Sequence, residues 1–305
     1  MIRLVVGTLF ILIFLLLVRE FGEREMWRNI GRFLWEHPIH LLIGMSFYFV
    51  SFLLKAYAWK IALQNRISFK TSLVGIWYSL ALNHLLPIKG GEVARVYIGH
   101  SRGKNLSLSE TVQSVAFIRF LDMFSLLLLT LVFGYTFFQY LSLQWMWLVG
   151  MFFLLILVSG LVLVKWPEMV KRQWSIFKKL FIHWKTVNVT ILIFLSWVLE
   201  GSILFAVMDA IQQGFTYSNA LMTNSVTVLG QVFQITPGGI ANYETVMSVT
   251  LRGLGVPFEV GLFVAMVTHG LKFLFSYIVG IIAWSLDPIS WKQLKLFARR
   301  EKERE

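Results

Sequence analysis

Between Met123 and Val164 the chain carries no Asp, Glu, Lys or Arg. A bilayer accommodates such a run as helix, because lipid solvates no charge and a helix satisfies its own backbone groups. A span takes about 20 predominantly apolar residues, so the run reads as most of two spans joined by the uncharged turn Gln139–Gln144. By the same criterion spans are expected at 2–18, 39–63, 112–138, 145–164, 189–211 and 258–285. The chain is 57% hydrophobic and 14% charged, whereas a soluble domain has about 45–50% and 25%. The fold class is therefore all-α, a polytopic membrane helical bundle forming a single transmembrane domain over 1–305.

The net charge of +12 would suggest nucleic acid in a soluble protein. Here the basic residues sit in loops beside apolar spans, where each contributes about 1 kcal/mol of attraction to anionic headgroups, and no nucleic-acid partner is expected. Lys165, Lys171, Arg172, Lys178, Lys179 and Lys185 make the loop 165–188 cytoplasmic by the positive-inside bias, and the basic tail 286–305 follows it. The connections 139–144 and 212–218 carry no Lys or Arg and fall outside, while 64–70 and 89–104 fall inside. The loop 19–38 falls outside although it mixes Arg with Glu. Arg3 and Leu4–Val18 could pass for a signal peptide, but no small-residue cleavage site follows. They are expected to form a retained first helix, with both termini cytoplasmic in the cell membrane.

Two apolar segments, 71–86 and 219–236, are too short or too polar for ordinary spans, and each runs into a Pro/Gly turn. A shift of 150 positions lays Pro87 on Pro237, Gly103 on Gly253, Arg119 on His269 and Asp122 on Lys272. Each copy (67–139 and 215–285) reads as a short helix, a break and a second short helix, followed by a long span with two ionisable residues one turn apart. Three spans lie between the copies, an odd number, so the second is expected to be inverted relative to the first. The expected breaks are Pro87, Gly90 and Gly91, then Pro237, Gly238 and Gly239. The architecture is thus about six spans plus two re-entrant helix pairs, a plan used by transporters with broken helices near the midplane.

An ionisable side chain inside a span costs roughly 2.5–3.5 kcal/mol on insertion scales, so it faces a cavity or a partner. Arg119 and Asp122 share a helix face; they are either an internal ion pair or a phosphate-binding Arg with its orienting acid. His269 and Lys272 repeat the arrangement. Glu92 and Glu244 follow the Gly pairs, where each either favours a helix N-terminus or responds to protons or cations at a re-entrant tip. Arg95 stands three residues after Glu92 as its partner or as a headgroup anchor, and Asn83 closes the first short segment. Glu200 lies deep in the span 189–211, and Asp209 lies near the outer interface. His37 and His40 have no third ligand nearby, so no metal is expected. No zinc-protease motif, phosphate loop or nucleophile elbow is present, and no cofactor is called for.

The run Asn83-His84-Leu85-Leu86-Pro87-Ile88-Lys89-Gly90-Gly91-Glu92-Val93-Ala94-Arg95, then Ser109-Glu110 and Arg119-Phe120-Leu121-Asp122, resembles the flippase-like membrane family that includes the transmembrane half of lysylphosphatidylglycerol synthases. Thr236-Pro237-Gly238-Gly239-Ile240-Ala241-Asn242-Tyr243-Glu244, with Gly255 beyond, is similar to its second signature. The resemblance spans about 60–285. Ala241 stands where Gly is expected, a change expected to cost little, and His269 stands where Arg is common. The soluble aminoacyl-transferase domain of the bifunctional synthases is absent from this sequence, so the resemblance implies movement of a lipid rather than its synthesis.

The expected function is that of a lipid flippase, not an enzyme, moving an anionic-headgroup or aminoacylated phospholipid, or a lipid-linked intermediate, by alternating access. Arg119 and Lys272 would bind the phosphate. The alternatives are an integral membrane transferase acting on polyprenyl-phosphate or phospholipid substrates, an accessory subunit, or a small-solute carrier. Membrane lipids are the expected partners, and homo-oligomerisation stays open.

Overall fold

A computed structural model describes residues 24–86, 90–134, 184–211, 214–233 and 236–290. The expected spans 2–18 and 145–164, the break residue Pro87 and the tail from 291 onward lie outside these residues. Those described are helical, without strands: α1 (Arg24–Glu36), α2 (Pro38–Ala62), α3 (Phe69–Leu85), α4 (Gly91–Arg102), α5 (Leu108–Phe133), α6 (Trp184–Glu200), α7 (Ser202–Ile211), α8 (Tyr217–Gly230), α9 (Asn242–Gly253) and α10 (Phe258–Leu286). Two 3₁₀ turns, Gln231–Phe233 and Pro237–Gly239, separate α8 from α9.

Among the described residues, four stretches are long and apolar enough to cross a membrane: α2, α5, Thr186–Ile211 across α6 and α7, and α10. They overlap the expected spans 39–63, 112–138, 189–211 and 258–285; α5 starts and ends earlier than expected, and 135–138 lie outside the described residues. The third is broken at Gly201, so the one expected span is two helices end to end. The charged stretch read as part of the connection 19–38 contains α1, whose Phe33 packs edge-on against Phe263 of α10 at 5.6 Å between centroids. At 1.5 Å per residue α3 and α8 are roughly 25 and 20 Å long, shorter than a hydrocarbon core of about 30 Å.

Local chemistry explains where these helices begin. Ser68 caps α3 by accepting from Thr71 N at 3.0 Å, and Thr216 caps α8 by accepting from Asn219 N at 3.3 Å. A reciprocal Ser107–Glu110 capping box opens α5, and Arg66 ties Glu110 to the preceding turn at 2.7 Å. The order of short helix, break, short helix and long helix therefore occurs twice, as α3–α4–α5 and α8–α9–α10.

The two sets interleave. Helix α3 packs on α10 of the other set, and α8 packs on α5. Within each set the second short helix lies against its own long helix, α4 on α5 and α9 on α10. Helix α6 packs on both α2 and α5 and also touches α8. Both long helices thus turn their midpoints toward a common centre.

Candidate functional site

Arg119 and Asp122 lie roughly 20 Å along α5 from its start, deep in the expected bilayer, and the structure pairs them. Arg119 Nη1 donates to Asp122 Oδ2 at 3.2 Å, and Arg119 Nη2 donates to Glu92 Oε1 on the first turn of α4. The guanidinium fork thus joins two carboxylates from different helices, the geometry to which Arg is suited. Asp122 spends its other oxygen on Trp197 of α6, whose Nε1 donates at 2.8 Å.

Asn83 works at the first break. Its Oδ1 accepts from Gly91 N at 2.9 Å and its Nδ2 donates to Glu92 at 3.4 Å, which clamps the end of α3 to the start of α4. Gly91 has to be a glycine because of this approach: a Cβ there would lie 2.1 Å from the Ser79 carbonyl oxygen. Arg95 is 2% exposed and stacks on Trp59, its guanidinium carbon 4.4 Å from the ring centroid. It approaches Glu92 only to 4.0 Å, and among the described residues its Nε and Nη2 find no hydrogen-bond partner. Two donors of a buried cation remain unspent.

The second set arranges the equivalent positions differently. Gly238 and Gly239 adopt φ of +63° and +77°, a left-handed break that side chains disfavour. His269 of α10 reaches this break, with Nε2 3.2 Å from the Gly238 carbonyl and Nδ1 2.6 Å from Glu244 Oε1. The other Glu244 oxygen accepts from Ala241 N at 2.7 Å. Ala241 itself sits at φ +72°. The expectation that Ala costs little there is corrected, because a non-glycine residue at such an angle carries about 1–3 kcal/mol of strain. The Tyr243 ring stacks on His269 at 4.1 Å.

Lys272 turns instead toward α6 and α8, donating to Asn224 Oδ1 at 2.8 Å and to Glu200 Oε1 at 3.5 Å. Glu200 also accepts from Lys55 of α2 at 2.6 Å, and that ammonium lies 3.6 Å from the centroid of the Trp197 ring. One helix turn of α6 therefore serves both sets, Trp197 holding Asp122 and Glu200 holding Lys272.

Neither Lys55 nor the part played by Trp197 was read from the sequence. Lys55 was accessible to the rule that singled out Arg119, since it too is a lone cation deep in an apolar span. Trp197 gave no such signal, because an indole is ordinary in a membrane helix. Asp209 lies at the edge of the bundle, half exposed, 3.9 Å from His40. His37 precedes α2 without a side-chain capping bond and His40 lies on its first turn; among the described residues no group of three or more His, Asp or Glu is placed to hold a metal.

These side chains surround a cavity of about 340 Å³. Lys55, Arg95, Arg119 and Lys272 supply four fixed positive charges to its wall, against the three carboxylates Glu92, Asp122 and Glu200. Arg119 keeps 40% of its side-chain surface accessible although it lies between helices, so it is the cation most open to a ligand. Ser79, Asn83, His84, Gln231 and His269 add uncharged polar groups to the wall.

Residues 1–280 match the family model for the lysylphosphatidylglycerol synthase TM region. The chain belongs to that family. The match reaches from the N-terminus almost to the end of α10 and so takes in both helix sets and the whole cavity wall. No curated protein matches the chain. The family and the four apolar spans agree on a multi-pass membrane protein.

Proposed function

We propose that this chain is a lipid flippase, moving a phospholipid with an anionic or aminoacylated headgroup, or a lipid-linked intermediate, across the cytoplasmic membrane. The observation that carries the reading is the cavity midway along the long helices, where fixed cations outnumber carboxylates and both helix sets contribute the wall. A phosphate is the anion such a wall suits. Arg119 is the most exposed of the four cations and presents a planar guanidinium to the cavity, and Arg95 has donors to spare. The name of the family, which attaches this membrane region to a synthase of an aminoacylated phospholipid, supports a lipid as the cargo.

Alternating access would turn on the two breaks. The second helix set is the first inverted in the membrane, with both termini cytoplasmic, so rocking one set against the other opens the cavity to either leaflet in turn. The chain performs no covalent chemistry in this scheme. The carboxylates of the cavity are engaged by Arg119, Lys55, Lys272 and Trp197, which suits binding better than acid–base work.

The test is headgroup accessibility in proteoliposomes carrying labelled phosphatidylglycerol or lysylphosphatidylglycerol. Wild type is expected to expose inner-leaflet label faster than empty vesicles. Arg119→Ala, with an unchanged elution profile, is expected to lose that acceleration. Rates equal to empty vesicles for both lipids in wild type would reject the flippase reading for these lipids. Product formed in detergent without any vesicle would point to a transferase instead.

A further inference from the structure

The first helix set pairs its buried acid with Arg119, a side chain that stays protonated under all ordinary conditions. The second pairs Glu244 with His269, and the partners of that imidazole fix how many protons the pair holds. Gly238 offers Nε2 a carbonyl oxygen at 3.2 Å, which can only accept, so Nε2 carries a hydrogen. Glu244 Oε1 lies 2.6 Å from Nδ1, and a separation this short between two lone-pair atoms requires a proton between them. Glu244 Oε2 accepts from Ala241 N–H and so is not the protonated oxygen. The pair as built therefore holds one shared proton, whether drawn as carboxylate with imidazolium or as acid with neutral imidazole. Both partners are buried, Glu244 at 5% and His269 at 2% exposure.

Removing that proton leaves the imidazole a single N–H, so either Nδ1 faces the Glu244 carboxylate or Nε2 faces the Gly238 carbonyl with a bare lone pair. One of the two contacts that tie His269 of α10 to the break and to the first turn of α9 then changes from attractive to repulsive. Glu244 also holds Ala241 at its strained φ of +72° through the same carboxylate. Proton loss thus loosens a strained turn, whereas Arg119 and Glu92 keep the other break fastened.

We propose that Glu244 and His269 form a proton-carrying dyad, and that protons are the co-substrate whose gradient drives transport. The inference rests on the flippase reading and supplies its energy source. In the step, Nδ1–H···Oε1 separates, the proton passes to solvent in the cavity that His269 lines, and the pair changes by one unit of charge. On return, a proton from the opposite side re-forms the bond. Other ionisable groups set the electrostatics. His84 of α3 faces His269 at 6.4 Å between ring centroids, Tyr243 of α9 stacks on it, and Lys272 lies one turn along α10 with Glu200 of α6 beyond it. Asp209 of α7 is drawn away to His40, Tyr217 of α8 donates to the Val198 carbonyl, and Arg28, Arg32 and Glu36 of α1 are exposed.

The experiment uses the full chain in vesicles holding labelled phosphatidylglycerol and a lumenal pH dye. Lipid and proton movement are followed with and without a gradient of about one pH unit, which is worth about tenfold in driving ratio. Wild type is expected to move lipid several-fold faster with the gradient in one polarity, and proton flux should track lipid flux. Glu244→Gln keeps the hydrogen-bonding shape of the protonated acid. It should fold normally, retain gradient-independent lipid exchange and lose both the stimulation and the proton flux. Lipid movement that ignores the gradient, with a static lumenal pH, overturns the dyad and leaves the flippase reading standing. If no lipid moves in any arm, the flippase reading falls. The dyad is then judged by infrared titration in detergent, where a carboxyl band present in wild type and missing in Glu244→Gln must change with pH; a band that never changes overturns it.

Discussion

The two helix breaks come from similar strings, each with Pro and paired Gly followed by Glu, yet their glycines answer to different physics. At the first break Gly90 has an ordinary right-handed conformation, and Gly91 is required because two helices touch backbone to backbone. At the second, Gly238 and Gly239 are required because the chain turns left-handed. The acids differ in the same way. Glu92 is held by a fork of permanent charge and by Asn83, Glu244 by an imidazole and a strained amide. A shared motif can therefore carry a close backbone contact in one place and a left-handed turn in another.

The widest test of this contrast is Glu200→Ala, which removes the acid between Lys55 and Lys272. Stripping a buried charge of its partner costs about 3–5 kcal/mol, so thermal melting in detergent should show the largest loss of the series. Gly91→Ala should follow, at about 3 kcal/mol, the upper end for overpacking, because its new methyl meets backbone that cannot turn aside. Gly238→Ala combines left-handed strain of about 1–2 kcal/mol with a clash against the Phe273 ring. Adding Phe273→Leu should recover part of that loss, whereas no side-chain change should rescue Gly91→Ala. The smallest effect, and the only gain, is expected for Ala241→Gly: relief of roughly 1 kcal/mol of strain and a melting temperature a few degrees higher. A loss of stability there would mean that the φ of +72° is not strained, and the contrast between the two breaks would narrow.

Much of the fold was legible because a bilayer permits so few solutions. Apolar length located the helices around 39–63, 112–138, 189–211 and 258–285, and the 150-position shift pointed to the matching element order of α3–α5 and α8–α10. Within the site, Arg119 with Asp122 was readable as a pair one turn apart. The joining of Arg119 to Glu92 was not, because it depends on how α4 folds back on α5. Lys272 was read as the neighbour of His269, yet it turns away toward Glu200 and Asn224, since its direction is set by α6 and α8. The strain at Ala241 was hidden for a similar reason. A backbone angle leaves no trace in composition, and the residue that would have announced it, a glycine, is the one replaced.

The interleaving of the helix sets bears on how the protein is made. Helix α3 finds its packing surface on α10, and α5 finds part of its own on α8, so elements that emerge early in synthesis wait for the last ones before their contacts are complete. Until α10 arrives, Lys55 and Glu200 lack the third member of their cluster and the cavity has no closing wall. A nascent chain halted before Phe258 would present a charged, half-built cleft to lipid, which marks it for capture by membrane chaperones and proteases. Among the described residues α10 is thus the element on which the earlier contacts of α3 and of the Lys55–Glu200 pair depend.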